Sequence, residues 1–368
     1  MKQAIISAAK SNEGVLVLTV AFWFSDPPNS GIGRYIKILM NAIPDALPLH
    51  YVISRGPYLE SYFNETRIKG PFVNKLSNSV SIVANRIIQP HVTFSVVKKQ
   101  TEISLIHYVS QHESPVLNGS HREIATIHDL TALKSSANNF SNSVYKKIVS
   151  RNIERIMRLD DIIAISHVVE KEVLELGFNG KIHTLHHCPS PIFKNVHDKI
   201  SLRRRLNLPV DKVLIFSIST SSQRKNLGIV KETMRMLGDE YILIRVGPSL
   251  GLKNEIDYSN ISDVMLNDLY NSVDVLLFPS TNEGFGFPLV EAMATGLPIV
   301  ASDIPVTREV VGDSGFLVDK NESSRYAEAI KEVSIDLNKF IRQSTLRAEL
   351  FTFEKFASTY QRLFSEIT

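Results

Sequence analysis

Glu283 and Glu291 close the two ends of the run Glu283-Gly-Phe-Gly-Phe-Pro-Leu-Val-Glu291. Just before it, Val273-Asp274-Val275-Leu276-Leu277-Phe278 has the pattern of a strand buried on both faces. Asn282 to Gly286 supplies turn residues, and Pro288 suits the first turn of a helix, where its missing N–H is not needed. Leu289, Val290, Ala292, Met293 and Ala294 make that helix mostly apolar; Gly296 and Pro298 end it. Leu297 to Ala301 reads as a second buried strand. The stretch is therefore a βαβ unit with its Gly-rich turn at the C-terminal end of a strand, where open α/β sheets bind ligands. The helix N-terminus there suits a phosphate. Two carboxylates at the same place need other partners. Sugar and ribose hydroxyls fit, because a carboxylate accepts two hydroxyl hydrogen bonds at once. A nucleoside diphosphate sugar offers both kinds of group. The competing reading has Glu283 capping the helix and Glu291 in solvent, and the spacing alone leaves the two level.

Three other places carry chemistry. Arg224 and Lys225 lie in the turn Ser219 to Asn226, between a strand over Lys212–Ile218 and a helix over Leu227–Leu237. Adjacent cations at such a turn can hold a diphosphate, or can be a solvated pair. Near the start, a strand over Val15–Trp23 runs into Asp26-Pro-Pro-Asn-Ser-Gly-Ile-Gly-Arg34 and a helix from Tyr35 to Ala42. The Gly31 backbone can approach a phosphate there, or can simply make a tight turn. Ile36 stands where a dinucleotide fingerprint needs its third glycine, which gives a nicotinamide site little support. Finally, a strand over Glu123–Ile127 ends in His128-Asp129, either a site pair or a structural histidine bonded to its neighbour.

The elements that must position these residues follow from alternation. The chain has 368 residues, enough for two domains. Strands over Leu49–Ser54, Ile103–Val109, Asp161–Ser166 and Ile182–His186, with helices over Asn142–Arg158 and His167–Leu176, complete a doubly wound domain across 1–190. Pro189-Ser190-Pro191 marks a hinge. A second alternation fills 191–352, with strands over Tyr241–Val246, Ile261–Met265 and Gly315–Val318 and a loop over 247–258. Helices follow over Ser323–Val333 and Asn338–Leu350. A tail over 353–368 sets Phe356, Tyr360 and Phe364 on one helical face, able to pack back across both domains.

Charge and composition narrow the partners. The net charge of +3 gives no reason to expect nucleic acid. Residues 66–100 hold Lys and Arg but no Asp or Glu, and Phe72, Val73, Leu76, Val80, Val83, Ala84 and Ile87 share one helical face. Such a segment can dock on an anionic bilayer, although most amphipathic helices face a core instead. The single cysteine, Cys188, permits no internal disulfide and fits a reducing compartment. The apolar run Val15–Phe24 is too short to span a bilayer. These point to the cytoplasm, with contact at the inner membrane face. No D-x-D triplet and no Cys/His cluster with metal-ligand spacing occurs, and adjacent His186 and His187 would face opposite sides of a strand.

The Glu283–Glu291 run resembles the E-x7-E motif of retaining glycosyltransferases with the GT-B fold, glycosyltransferase family 4. The likeness extends through Ala292–Ala301, Glu309–Gly312, Ser30–Tyr35, Ile127–Leu130 and Arg224–Leu227. It implies two Rossmann-like domains facing a cleft, with the C-terminal helix packing across both. It implies a sugar-nucleotide donor, Glu291 on the ribose and Glu283 on the donor sugar. Gly284, Phe285 and Gly286 would lie near that sugar, with the Leu289 and Val290 amides at the diphosphate. Arg224 and Lys225 would neutralise the leaving diphosphate, and Gly31 would bring its loop against it. His128 would reach the donor sugar or the reacting centre, with Asp129 and Arg34 orienting or on the acceptor side. Thr220 stands where many family members have an arginine, so Arg224 takes over that role or the site has one cation fewer. The resemblance also implies a metal-independent reaction and no cofactor. Ser302–Glu309 and Ile127–Leu130 look most like mannosyltransferases, hence GDP-mannose first and a UDP-hexose second. The acceptor would be a saccharide or lipid-linked saccharide of a cell-surface glycan such as O-antigen or capsule. A GT-B epimerase or synthase of soluble sugars and a non-enzymatic nucleotide-sugar binding module are the other readings; intact Glu283, Glu291 and Lys225 argue against the last.

Overall fold

The computed structural model describes residues 20–24, 30–42, 51–54, 105–113, 115, 117, 122–134, 140–196 and 198–367. The segment 66–100, with its membrane-docking reading, lies outside the described residues, as does the first part of the expected strand over Val15–Trp23. Two compact units emerge. One comprises Met1–Ala164, Glu172–Thr184 and Ala357–Thr368; the other comprises Ile165–Lys171 and Leu185–Phe356. The tail helix, Phe353–Ile367, therefore counts with the first unit from Ala357 onward. Among the described residues, no helix is long and apolar enough to cross a membrane.

The first unit holds a parallel sheet built from β1 (Val20–Phe24), β2 (Tyr51–Ser54), β3 (Leu105–Tyr108), β4 (Arg122–Ile127), β5 (Asp161–Ala164) and β6 (Lys181–Thr184), in the order β2-β1-β3-β4-β5-β6. Leu105, Ile106, Ile124, Ala125, Ile162 and Ile163 are buried, as continuous apolar runs require of strands covered on both faces. The helix expected from Tyr35 begins earlier, at Gly31, and runs to Ala42. Ser30 explains the difference: its Oγ accepts from the Gly33 amide at 2.9 Å and its carbonyl accepts from the Arg34 amide at 3.0 Å. It is an N-cap, so Gly31 and Gly33 form the first helical turn rather than a free loop. Within this unit Tyr360 of the tail lies 3.0 Å from His107 Nδ1, and Gln361 Nε2 donates to the Ala42 carbonyl at 2.9 Å.

The second unit has its own parallel sheet: β7 (Val213–Ile218), β8 (Tyr241–Val246), β9 (Glu255–Tyr258), β10 (Val275–Phe278), β11 (Ile299–Ser302) and β12 (Phe316–Val318), ordered β12-β11-β10-β7-β8-β9. Counted from β7 this is the 3-2-1-4-5-6 arrangement, and the direction of winding reverses between β7 and β10. Ile215, Leu243, Val275, Leu277 and Val300 form the sheet's share of a core with Val230, Ile330 and Val333 from the covering helices. Truncating one of these to Ala would cost about 2–5 kcal/mol. Asp274, inside an apolar run, is buried but satisfied: it accepts from Arg203 at 2.5 Å, Lys199 at 3.0 Å and the Leu214 amide at 2.8 Å.

One strand was expected in the wrong place. Ile261–Met265 opens a helix, Asp263–Ser272, because Ser262 Oγ caps the Met265 amide at 3.2 Å. The missing strand is β9, an edge strand in the stretch read as loop. Short apolar runs of this kind do not separate helix from strand by periodicity. The helices Lys199–Arg205 and Pro305–Val311 were likewise not anticipated.

Candidate active site

The turns after β7 and β10 converge at the point where the second sheet reverses its winding. Glu283, beyond β10, accepts from Lys225 Nζ through Oε1 and from Arg224 Nη1 through Oε2, each at 2.5 Å. Arg224 also donates to the Asn282 carbonyl at 3.2 Å, and its own carbonyl accepts from the Thr281 amide at 2.8 Å. The two turns are thus laced by side chain and backbone. Local geometry on the β7 side is set by a 3-10 turn, Gln223–Lys225, and by Asn226 at φ 52°, a left-handed residue from which the helix Leu227–Leu237 departs. The Glu283 and Lys225 side chains are only 8% and 13% exposed. Burial holds the Lys225 ammonium below the ordinary lysine range against the opposing pull of Glu283, and the charges of Arg224 and Arg245 add to the lowering. Neither the helix-capping reading of Glu283 nor the solvated-pair reading of the cations survives: the cap residue of the helix Phe287–Ala294 is Gly286.

Glu291 lies on that helix, 1% exposed, and accepts from the Tyr270 hydroxyl at 2.8 Å. The reading that left it in solvent is overturned, since the helix turns its position inward with Leu289, Val290 and Met293. Gly286 takes φ 100°, and its carbonyl accepts from the Leu289 amide at 2.9 Å, so that amide closes the first turn. The Gly284 carbonyl accepts from Ser166 Oγ at 2.8 Å, and Phe285 is buried against His187 and Phe351. Val290 is fully buried in the helix.

Two further features escaped the sequence reading. Arg245, on β8, is fully buried and reaches Ser217 Oγ at 3.3 Å, the Ser219 carbonyl at 2.7 Å and Ser219 Oγ at 3.0 Å. Its signal was a lone cation inside the apolar run Tyr241–Val246. Glu309 gathers His186 Nε2 at 2.7 Å and the amides of His167 and Val168 at 2.7 and 3.1 Å. Ligand atoms of His167, His186 and Glu309 lie within 4.8 Å of one another, so a grouping with metal-binding chemistry does exist. Spacing could not reveal it, because its members are far apart in the chain. Both Glu309 oxygens already accept hydrogen bonds there.

In the first unit, His128 and Asp129 follow β4. His128 is buried; its Nε2 lies 2.8 Å from the Val109 carbonyl and its amide donates to Gln111 at 3.0 Å. A carbonyl can only accept, so Nε2 carries the proton and Nδ1 presents a lone pair. Burial pushes the imidazole down to about 4, outweighing the Val109 bond and the Asp129 charge. Asp129 accepts from the Thr131 amide at 3.0 Å rather than bonding the His128 ring. Tyr35 sets its ring edge-on to His128 with centroids 4.9 Å apart, which ties the helix carrying Gly31 and half-buried Arg34 to the end of β4.

Residues 198–344 match the family model described as Glycosyl transferases group 1. The O-antigen chain mannosyltransferase RfbU of Salmonella typhimurium is 24% identical over 61% of this chain and 63% of its own length, so less than two thirds of that relative is spanned. Sucrose-phosphate synthase from Thermosynechococcus elongatus has the same fold, with a TM-score of 0.79 at 18% identity over 95% of this chain and 99% of that one. Anabaena HepE, solved in complex with UDP-glucose, gives a TM-score of 0.71 at 17% identity over 95% of this chain and 100% of that one. The fold is GT-B. With the site's geometry in view, the match of residues 198–344 to the group 1 glycosyltransferases and the shared fold support a transferase enzyme.

Proposed function

We propose that this protein is a retaining glycosyltransferase of family 4 that moves a hexose from a nucleotide sugar to a saccharide or lipid-linked saccharide in cell-surface glycan biosynthesis. The observation that carries the reading is the buried Glu283 held between Arg224 and Lys225 where the second sheet reverses its winding. Departure of a nucleoside diphosphate develops negative charge on its phosphate oxygens. Fixed cations beside the bond that breaks stabilise that charge without reorganising. Arg224 and Lys225 take this role, Glu283 accepts from hydroxyls of the transferred sugar, and Glu291 accepts from the ribose. The acceptor oxygen bonds to the anomeric carbon on the face the phosphate leaves, and its proton passes to the departing phosphate oxygen. Cations supplied by the chain make a divalent ion unnecessary to this scheme. GDP-mannose is the first donor, supported by the similarity to an O-antigen chain mannosyltransferase. A UDP-hexose is the second, supported by the fold shared with a protein solved with UDP-glucose. The reaction takes place in the cytoplasm, at the inner membrane face if the acceptor is lipid-linked.

A melting-temperature series across nucleoside diphosphates and their sugars tests the assignment, since a ligand of the folded state raises that temperature. GDP and GDP-mannose are expected to shift it most, and transfer is expected to persist in excess chelator. A chain that responds to no nucleoside diphosphate would overturn the reading, and strict dependence on a divalent ion would overturn the metal-free mechanism.

A further inference from the structure

Arg245 is costly to explain as a core residue. It is fully buried on β8, one strand in from the sheet edge, and among the described residues no carboxylate hydrogen-bonds to it. Its partners are neutral: the Ser217 hydroxyl and the Ser219 carbonyl and hydroxyl. Its Nε–H, also buried, has no partner. Glu255 is the acid whose charge acts on it, but the Glu255 oxygens accept from the Leu250 and Leu252 amides and Ser249. A buried cation with no carboxylate bonded to it is destabilising, and natural chains tolerate one where something else supplies the countercharge.

The place of Arg245 says what that is. Ser219 is the residue where β7 gives way to the turn that carries Arg224 and Lys225. The guanidinium therefore lies beneath the floor of the anion site, and its charge is felt at Lys225. Two residues beyond Arg245, Gly247 stands at φ 133°, where a Cβ would meet the Ser219 carbonyl at 2.1 Å. The ends of β7 and β8 are thus pressed together by a glycine that admits no side chain. Around this floor Arg224 and Lys225 share one carboxylate, Glu283, and Arg245 adds its charge at Lys225. The three cations have one carboxylate bonded among them, so the site favours an added anion.

We propose that Arg245 is the third cation of the diphosphate site, balancing the bound diphosphate from beneath while fixing Ser219 at the site's floor. It is a positioning residue, withdrawn from solvent, and its role rests on the donor-site reading given above. It accounts for a buried charge to which, among the described residues, no carboxylate is bonded. It also makes the site's affinity depend on the number of phosphates, because the third cation answers charge and not the nucleoside.

Calorimetric titration of the full chain with GDP, UDP and the matching nucleosides tests this, using Arg245→Gln and Arg245→Lys. The glutamine keeps hydrogen-bond donors for Ser219 but removes the charge; the lysine keeps the charge. Arg245→Gln is expected to weaken the diphosphates about tenfold, the range of one charge-assisted hydrogen bond, and to leave nucleoside affinity unchanged. Arg245→Lys is expected to restore most of that loss. Equal loss of nucleoside and diphosphate affinity, or no loss at all, would overturn the proposal while leaving the donor site standing. A wild-type chain that binds no diphosphate overturns both. If Arg245→Gln does not fold, arginine-Nε-labelled wild type decides: a protected Nε–H resonance that shifts on adding GDP or UDP supports the third cation, and unmoved resonances exclude it.

Discussion

Glu283 and Lys225 meet at 2.5 Å with both side chains largely out of water, and Arg224 takes the second oxygen of the same carboxylate. One acid thus holds two cations. A diphosphate arriving at those cations competes with Glu283 for them. On the proposed donor reading, its arrival would free carboxylate oxygens for sugar hydroxyls.

This arrangement separates binding from turnover. Glu283→Gln is expected to reduce hexose transfer by about a hundredfold or more, the scale set by losing a preorganised polar group at the reacting centre. Affinity for the free nucleoside diphosphate should hold or rise, since the cations lose their internal competitor. Lys225→Met should act in the opposite sense, weakening that affinity by about tenfold or more. Calorimetry and a product assay on the two variants decide the matter. Ordinary turnover in Glu283→Gln would remove Glu283 from the donor sugar.

Glu291 calls for a different measurement because it is buried and bonded to Tyr270 at 2.8 Å. If its carboxylate accepts ribose hydroxyls, the wild-type chain should prefer ribonucleotides to their 2′-deoxy forms. Glu291→Gln should erase that preference. Tyr270→Phe leaves the carboxylate in place and should cost about 1 kcal/mol of stability, the net value of one hydrogen bond. A ribose preference that persists in Glu291→Gln would show that other groups read the sugar.

The βαβ unit was legible in the sequence because its signals agree: an apolar strand, turn glycines, a proline at a helix start and an apolar helix. Arg224, Lys225, Glu283 and Glu291 were legible for the same reason, each lying at the C-terminal end of a strand or on the helix that follows. Their partners were not. Contact between Glu283 and the two cations depends on β7 and β10 being neighbours, which is a matter of strand order. Tyr270 reaches Glu291 from a helix whose first residues looked like a strand. Arg245 was passed over because one charge does not disturb an apolar pattern, and its meaning comes only from its burial. Glu309 with His186 and the amides of His167 and Val168 joins three separated segments, and no spacing rule spans them.

Glu309 gives an acid-stability prediction. Burial pushes its carboxyl up, but the bonds from His186 and from the His167 and Val168 amides more than offset this and hold it below the ordinary range. A depressed folded-state pKa means that the stabilisation is complete above the unfolded value of about 4.3 and fades as pH falls through the folded one. Glu309→Gln should therefore lower the melting temperature at neutral pH, and the gap from wild type should narrow on acidification below about pH 4. A gap of constant size from pH 7 to 3 would mean that the carboxylate's charge contributes nothing.

His107 and His128 act over a higher window. Burial pushes His107 down to about 3 and His128 down to about 4, both well under the unfolded histidine value of about 6.5. Each is neutral in the folded chain while the unfolded chain takes up a proton from about pH 6.5 downward. The unfolded state then binds more protons, so stability should fall steadily from about pH 6.5 to about pH 4, by a few kcal/mol in all. His107 makes the cleaner probe, because its ring lies between Thr126 Oγ1 at 2.8 Å and Tyr360 at 3.0 Å and is assigned no contact with the donor. His107→Gln keeps a group that can donate and accept but cannot titrate. Melting temperatures of wild type and His107→Gln across that window should converge as pH falls, the variant showing the shallower slope. Parallel curves would mean that His107 is protonated in the folded protein and that burial does not hold it neutral.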